Sequence, residues 1–293
     1  MKLCRFDEDR LGVVIGDMVH DVTAAQDEIR KSARYDMQGD AVIAALPQWR
    51  SRLEQMAVSA PTMPLSSVAL KSPVARPSKV MAAPVNYSKH VQEMRARIDI
   101  APGPGGARPS PDIGKAGIFL KANSSVIGPS EGIPLRFPDR SNEHEIELVM
   151  IIGKQGTDVP KARFKEYVAG YAIGLDMTCR GPEDRSFRKS IDGYSVVGPW
   201  MVTADEVSNP DDMLITLHCN DELRQSADTA DLIYDCGRLI EFASSFYTLY
   251  PGDIFFTGTP QGVAPVKAGD TLLGRNDILG ELEVTVRQHR IGQ

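Results

Sequence analysis

The residue pattern predicts an α+β protein, with a β-rich mixed-sheet roll or barrel-like domain over residues 76–293 and a small α+β domain over residues 1–75. Many short apolar or alternating runs are divided by Gly, Pro and Asn-Asp, and these read as strands. Few stretches carry helical spacing. Pro61, Pro64, Pro73 and Pro77 crowd together around the proposed boundary near residue 75.

Taken in order, Lys2–Phe6, Leu11–Ile15 and Met18–Val22 read as strands, with Gly16-Asp17 as a hairpin turn. Residues 24–60 carry apolar side chains at helix-like spacing, in Ala41–Ala45 and Trp49–Met56. Val80–Asn86 reads as a strand running into a turn, and Tyr87–Ile98 as a helix bearing His90 and Glu93. Residues 101–111 are too rich in Pro and Gly for a helix or an inner strand. They are either a surface loop or a hinged lid whose helix carries His90 and Glu93. Ile118–Lys121 is a strand candidate, and Lys161–Val168 a connecting helix. Leu214–Asn220 and Glu222–Ser226 form a hairpin around Asn220-Asp221. Leu232–Tyr250 reads as one long amphipathic helix stopped by Pro251-Gly252. Its Phe242 and Phe246 serve core or dimer packing. Ile254–Thr257 is a short buried strand that runs into the glycine loop Gly258–Val263.

Composition narrows the function. At 42% apolar and 25% charged, the chain is an ordinary globular protein. A net charge of −6 argues against nucleic acid as a partner but leaves room for a local basic pocket that takes an anion. No apolar run approaches the length of a membrane span. The opening Met-Lys-Leu-Cys-Arg-Phe-Asp is too polar for a signal peptide. Cys4, Cys179, Cys219 and Cys236 form no C-x-x-C pair and read as reduced thiols, which places the chain in the cytoplasm.

The stretch Asn142–Asp176 carries the chemistry. Glu143, Glu145 and Glu147 alternate with His144, Ile146 and Leu148, so on a strand the three glutamates share a face. Stacked carboxylates repel unless a counter-charge sits among them, and a hard dication supplies one. Tyr171–Leu175 is apolar and ends in Asp176, a further oxygen ligand at the end of a buried strand. The competing reading is a solvated edge strand of alternating charge.

Four separated motifs then resemble one family, that of fumarylacetoacetate hydrolase. They are Glu145-Ile-Glu147-Leu with Gly170-Tyr171…Asp176, Lys189-Ser190, the Thr257–Val263 loop, and His90-Val-Gln-Glu93 as the family's lid dyad. The likeness covers about residues 76–290 and is nearest to the small bacterial members and the acylpyruvate hydrolases. It implies a mixed-strand roll that forms a homodimer, with Mg²⁺ or Mn²⁺ held by Glu145, Glu147 and Asp176. Glu143 matches no family ligand and is read as lying behind the ligands or exposed. Arg180 matches the family's Arg, whereas Gly181 and Glu183 replace its usual Asp and Gln. A carboxylate at 183 needs to be paired or protonated to tolerate an anionic intermediate.

The substrates implied are 1,3-dicarbonyl acids such as acylpyruvates, small anionic 2-oxo acids. On this reading His90 is the general base and Glu93, on the same helical face, orients it. Lys189 stabilises the oxyanion. Thr259 and the Gly258 backbone bind the pyruvate carboxylate, and Arg180 adds a further cation. The expected activity is metal-dependent hydrolysis of a C–C bond. The same constellation also suits oxaloacetate-type decarboxylation, hydration of a 2-oxo-alkenoate, or isomerisation.

Overall fold

The structure, a computed structural model, describes residues 1–34, 38–96 and 112–289. The Pro/Gly segment 101–111, read as lid or surface loop, lies outside the described residues. So does the end of the helix expected over Tyr87–Ile98, whose described part is Ser88–Ala96.

The fold grows from Ile146–Ile152, where a glutamate is the one polar residue in a run of seven and every position is buried. Such a run suits a strand covered on both faces. It pairs antiparallel with Val168–Asp176 on one side and Ile254–Phe256 on the other. Val168–Asp176 then pairs with Ser195–Thr203, and Ile254–Phe256 runs parallel to Val80–Ala82. Alternation along the central strand divides the core in two. Leu148, Met150 and Ile152 point to one side, with Ile173, Leu175, Leu217, Leu272 and Val284. Val149 and Ile151 point to the other, with Ala172, Val197, Met201 and the helix residues Ile43, Leu46 and Leu53.

The five-stranded sheet built from Leu214–Cys219, Glu222–Asp228, Thr271–Asn276, Gly280–Gln288 and Ile133–Leu135 supplies much of the first side. Helix Ala41–Ser59, started by Asp40 accepting from the amides of Val42 and Ile43, covers the second. The N-terminal strand Lys2–Phe6 pairs antiparallel with Ser195–Thr203 and so extends the sheet that carries the central strands. The architecture is an α+β arrangement of mixed sheets with few helices, as expected. None of the described helices is long and apolar enough to cross a membrane.

Two helices differ from expectation. Lys161–Tyr167 is a 3₁₀ helix. The long helix is confined to Cys236–Phe246. Its expected first residues are held elsewhere: the Ile233 amide donates to the Asn86 carbonyl and the Tyr234 amide to Asn86 Oδ1. Asp235 then caps the helix by accepting from the Arg238 amide. At the other end Tyr247 is already extended, ahead of Pro251.

Candidate metal centre

Pairing register builds the acidic cluster. Glu145 and Glu147 are two apart at the start of the central strand, and the Asp176 amide donates to the Glu145 carbonyl at 2.8 Å. Asp176 therefore lies across from Glu145, while Glu147 lies across from Gly174. Gly174 keeps that face open: a Cβ there would stand 2.4 Å from Val149 Cγ2 and 2.6 Å from the Phe256 ring. Carboxylate oxygens of Glu145, Glu147 and Asp176 come within 4.8 Å of one another, and all three residues are buried.

Two lysines enter this cluster from different elements. Lys189, the last residue of helix Arg185–Lys189, donates to Glu145 Oε2 at 2.6 Å and to Asp176 Oδ2 at 2.7 Å. Lys121, ending strand Phe119–Lys121, donates to Asp176 Oδ1 and to the Tyr194 carbonyl. The Ala122 amide donates to Ser190 Oγ at 2.9 Å, which ties the segments bearing the two lysines together.

The electrostatics follow from these contacts. Burial alone would raise the Glu145 carboxyl, but Lys189 and Arg180 outweigh it and hold it at about 2. Lys189 is also opposed by burial, yet its carboxylates keep it above the usual lysine value. Lys121 goes the other way, because burial outweighs its single carboxylate partner. Glu147 makes no ion pair among the described residues; it accepts the Gly258 amide at 2.5 Å. Burial first and Asp176 second push its carboxyl well above the ordinary carboxylate value.

Three carboxylates thus face two ammonium groups, and the least compensated of the three is fully buried. An all-oxygen donor set short of positive charge fits a hard divalent cation such as Mg²⁺ or Mn²⁺.

His90 and Glu93, on helix Ser88–Ala96, meet the glycine loop. His90 is buried, and its Nδ1 lies 3.1 Å from Glu93 Oε2. The other Glu93 oxygen accepts the Gly262 amide at 3.0 Å, which ties helix Ser88–Ala96 to the glycine loop. His90 is near enough to Glu145 to lower its pKa. Thr259, also buried, accepts at Oγ1 from Gln225 Nε2 at 2.9 Å. Its own hydroxyl hydrogen therefore remains available to an acceptor. The Gly258 amide is directed at Glu147 and not at the space in front of Thr259.

Glu143 and Arg180 form their own pair. Arg180 Nε and Nη2 donate to Glu143 Oε2 at 2.8 and 2.6 Å, with Glu145 Oε1 3.6 Å from Nη2. Glu143 is fully buried. Gly181 and Glu183 make sense together. A Cβ at Gly181 would lie 1.4 Å from Arg140 Nη2, so the bare backbone admits that guanidinium, which pairs with both Glu183 oxygens. Glu183 is paired, and Arg140 holds its carboxyl below the ordinary value.

Sequence reasoning missed Lys121 and Gln225. Lys121 shows the same signal as Asp176, a lone charge closing an apolar strand. Gln225 shows none, because its role comes from the fold: Oε1 accepts the Ile146 amide at 3.0 Å, between the two strand glutamates, while Nε2 reaches Thr259 and the Pro260 carbonyl. A cavity of about 790 Å³ beside helix Ala41–Ser59, lined by Ile43, Arg50, Lys154 and Asp205, contains none of these residues.

The family model described as fumarylacetoacetate (FAA) hydrolase C-terminal matches residues 79–287. A maleylpyruvate hydrolase of Aquipseudomonas alcaligenes is 49% identical over 288 residues, covering 98% of this chain and 99% of that one. The crystal structure of maleylpyruvate hydrolase from Sphingobium sp. SYK-6, in complex with manganese(II) and pyruvate, superposes with a TM-score of 0.83 at 40% identity. That likeness covers 99% of this chain and 100% of that one. A mitochondrial oxaloacetate tautomerase of Rattus norvegicus is 33% identical over 227 residues, 76% of this chain and 68% of that protein.

Proposed function

The chain belongs to the fumarylacetoacetate hydrolase family, and on that premise we propose maleylpyruvate, or an acylpyruvate much like it, as the substrate. The enzyme is a metal-dependent hydrolase that cleaves the C–C bond of an acylpyruvate. The reading is carried by the buried Glu145, Glu147 and Asp176 triad beside Lys189, in a chain that matches a maleylpyruvate hydrolase over nearly its full length.

Glu145, Glu147 and Asp176 would hold Mg²⁺ or Mn²⁺, which would polarise the 2-oxo acid end of the substrate as a Lewis acid. The chain's own groups do the rest. Thr259 donates its hydroxyl hydrogen to the pyruvate carboxylate. Glu93 fixes His90 with Nδ1 protonated, so that Nε2 is the nitrogen that takes a proton from water. The resulting hydroxide adds to the distal carbonyl, and the Lys189 ammonium faces the oxygen that becomes negative. The C–C bond then breaks. Its electron pair leaves on the pyruvate carbon, which takes up a proton, and the acyl group departs as a carboxylic acid. Glu93 also ties its helix to the Gly262 amide, which holds His90 against the glycine loop that carries Thr259.

Four free, buried cysteines suit a reducing cytoplasm. Phe246, 69% exposed beside Phe242, suits a homodimer face.

The test uses protein loaded with Mg²⁺ or Mn²⁺ and offered maleylpyruvate, acetylpyruvate and oxaloacetate. Pyruvate release from the acylpyruvates is expected. His90→Ala should lower it by roughly 10²–10⁴-fold while sparing oxaloacetate decarboxylation to a larger extent. Equal loss on all substrates would remove His90 from water activation. Absence of pyruvate release from either acylpyruvate would overturn the reading.

A further inference from the structure

Arg185 opens the helix that Lys189 closes. Residues four apart share a helical face and are separated by about 5–6 Å along the axis. Both cations lie over the Phe119 ring, Arg185 Cζ at 5.5 Å and Lys189 Nζ at 5.6 Å from its centroid. Their partners differ. Lys189 and Lys121 hold carboxylates of the acidic cluster, Arg180 holds Glu143, and Arg140 holds Glu183. Arg188 donates to the carbonyls of Cys179 and Glu183. Arg185 alone of this wall makes neither a hydrogen bond nor an ion pair among the described residues.

Arg185 is also half-buried. Burial is the largest influence on it and lowers its pKa, while Glu145 and Asp176 are near enough to act in the opposite direction. A guanidinium partly withdrawn from water with its planar fork unused is a receptor for a carboxylate.

Resting on the acylpyruvate reading above, we propose that Arg185 binds a second carboxylate at the far end of the acyl arm, so that the enzyme selects dicarboxylate acylpyruvates. The order along the site supports this. On the reading above the pyruvate end meets Thr259 and the carbonyl to be attacked meets Lys189, and Arg185 stands one helical turn from Lys189 over the same Phe119 ring. A maleyl group carries its second carboxylate only a few bonds from the attacked carbonyl, so an oxygen facing Lys189 and a carboxylate held by Arg185 can belong to one arm. A short neutral arm such as acetyl leaves the guanidinium without an anion.

The experiment compares maleylpyruvate with acetylpyruvate on Mn²⁺-loaded wild type, Arg185→Gln, Arg185→Lys and Arg180→Gln, and titrates each with maleate by calorimetry. Arg185→Gln should raise KM for maleylpyruvate by roughly 10–100-fold, the span expected for a lost charge-assisted carboxylate contact. The loss with acetylpyruvate should be at least tenfold smaller. Arg185→Lys should fall between, and maleate affinity should drop in step. Equal losses on the two substrates, unchanged maleate affinity in a variant that melts like the wild type, or selective loss in Arg180→Gln alone would each overturn the proposal. Should Arg185→Gln not fold, Arg185→Lys decides by the same comparison. If wild type turned over neither acylpyruvate, the functional reading would fall, and the maleate titration would still decide for or against Arg185.

Discussion

Glu147 shows how one residue couples the site to pH. Its carboxyl is raised by burial and by Asp176, so the metal-free folded state holds a proton more tightly than the unfolded chain does. The stabilisation from that proton is complete below the ordinary value of 4.5 and is lost as pH rises through the folded-state value. Glu145 does not mask the effect, because its carboxyl, held at about 2, loses its contribution only in stronger acid. A divalent ion replaces the proton on Glu147 and restores the loss. The increase in Tm on adding Mn²⁺ should therefore grow as pH rises above the ordinary carboxylate value of 4.5. In Glu147→Gln that growth should be largely absent. Thermal melts across this range check it, and a Tm increment independent of pH in the wild type would contradict the assignment.

At the scale of elements, the paired strands Ile146–Ile152 and Val168–Asp176 are what make the cluster possible. Their register sets Asp176 across from Glu145 and a glycine across from Glu147. Gly174→Ala would drive a methyl group against Val149 Cγ2 and the Phe256 ring, both immobilised in the core. A destabilisation of about 1–3 kcal/mol is expected from such overpacking, together with weaker Mn²⁺ binding as the two strands part. Urea unfolding and metal titration read the two effects separately. Val149→Ala in the same chain should recover part of the stability, since it removes the Cγ2 methyl that the new Cβ meets.

Across the whole molecule, the N-terminal residues are structurally continuous with the site. Strand Lys2–Phe6 pairs with Ser195–Thr203, and helix Ala41–Ser59 covers the face of the central sheet that bears Val149, Ile151 and Ala172. Without residues 1–75 that face and a long strand edge meet water. A chain of residues 76–293 is expected to aggregate on refolding, and adding Mn²⁺ should not rescue it. Light scattering with the soluble yield measures this. A monodisperse, metal-binding fragment would show instead that the C-terminal part closes its own core.

The local pattern in the sequence was enough to place short strands, the alternating glutamates, Asp176 closing an apolar strand, and the His90/Glu93 pair three apart. Each depends on neighbours within a few positions, where periodicity acts directly on which way a side chain points. The helix over residues 232–250 was overextended for the converse reason: Asn86, some 150 residues away along the chain, captures the amides of Ile233 and Tyr234. Lys121, Gln225, the fit of Arg140 over Gly181, and the unpaired state of Arg185 were equally decided by tertiary structure. Strand register and long-range packing bring those groups to a common site, and spacing along a single chain does not encode which distant donor meets which acceptor.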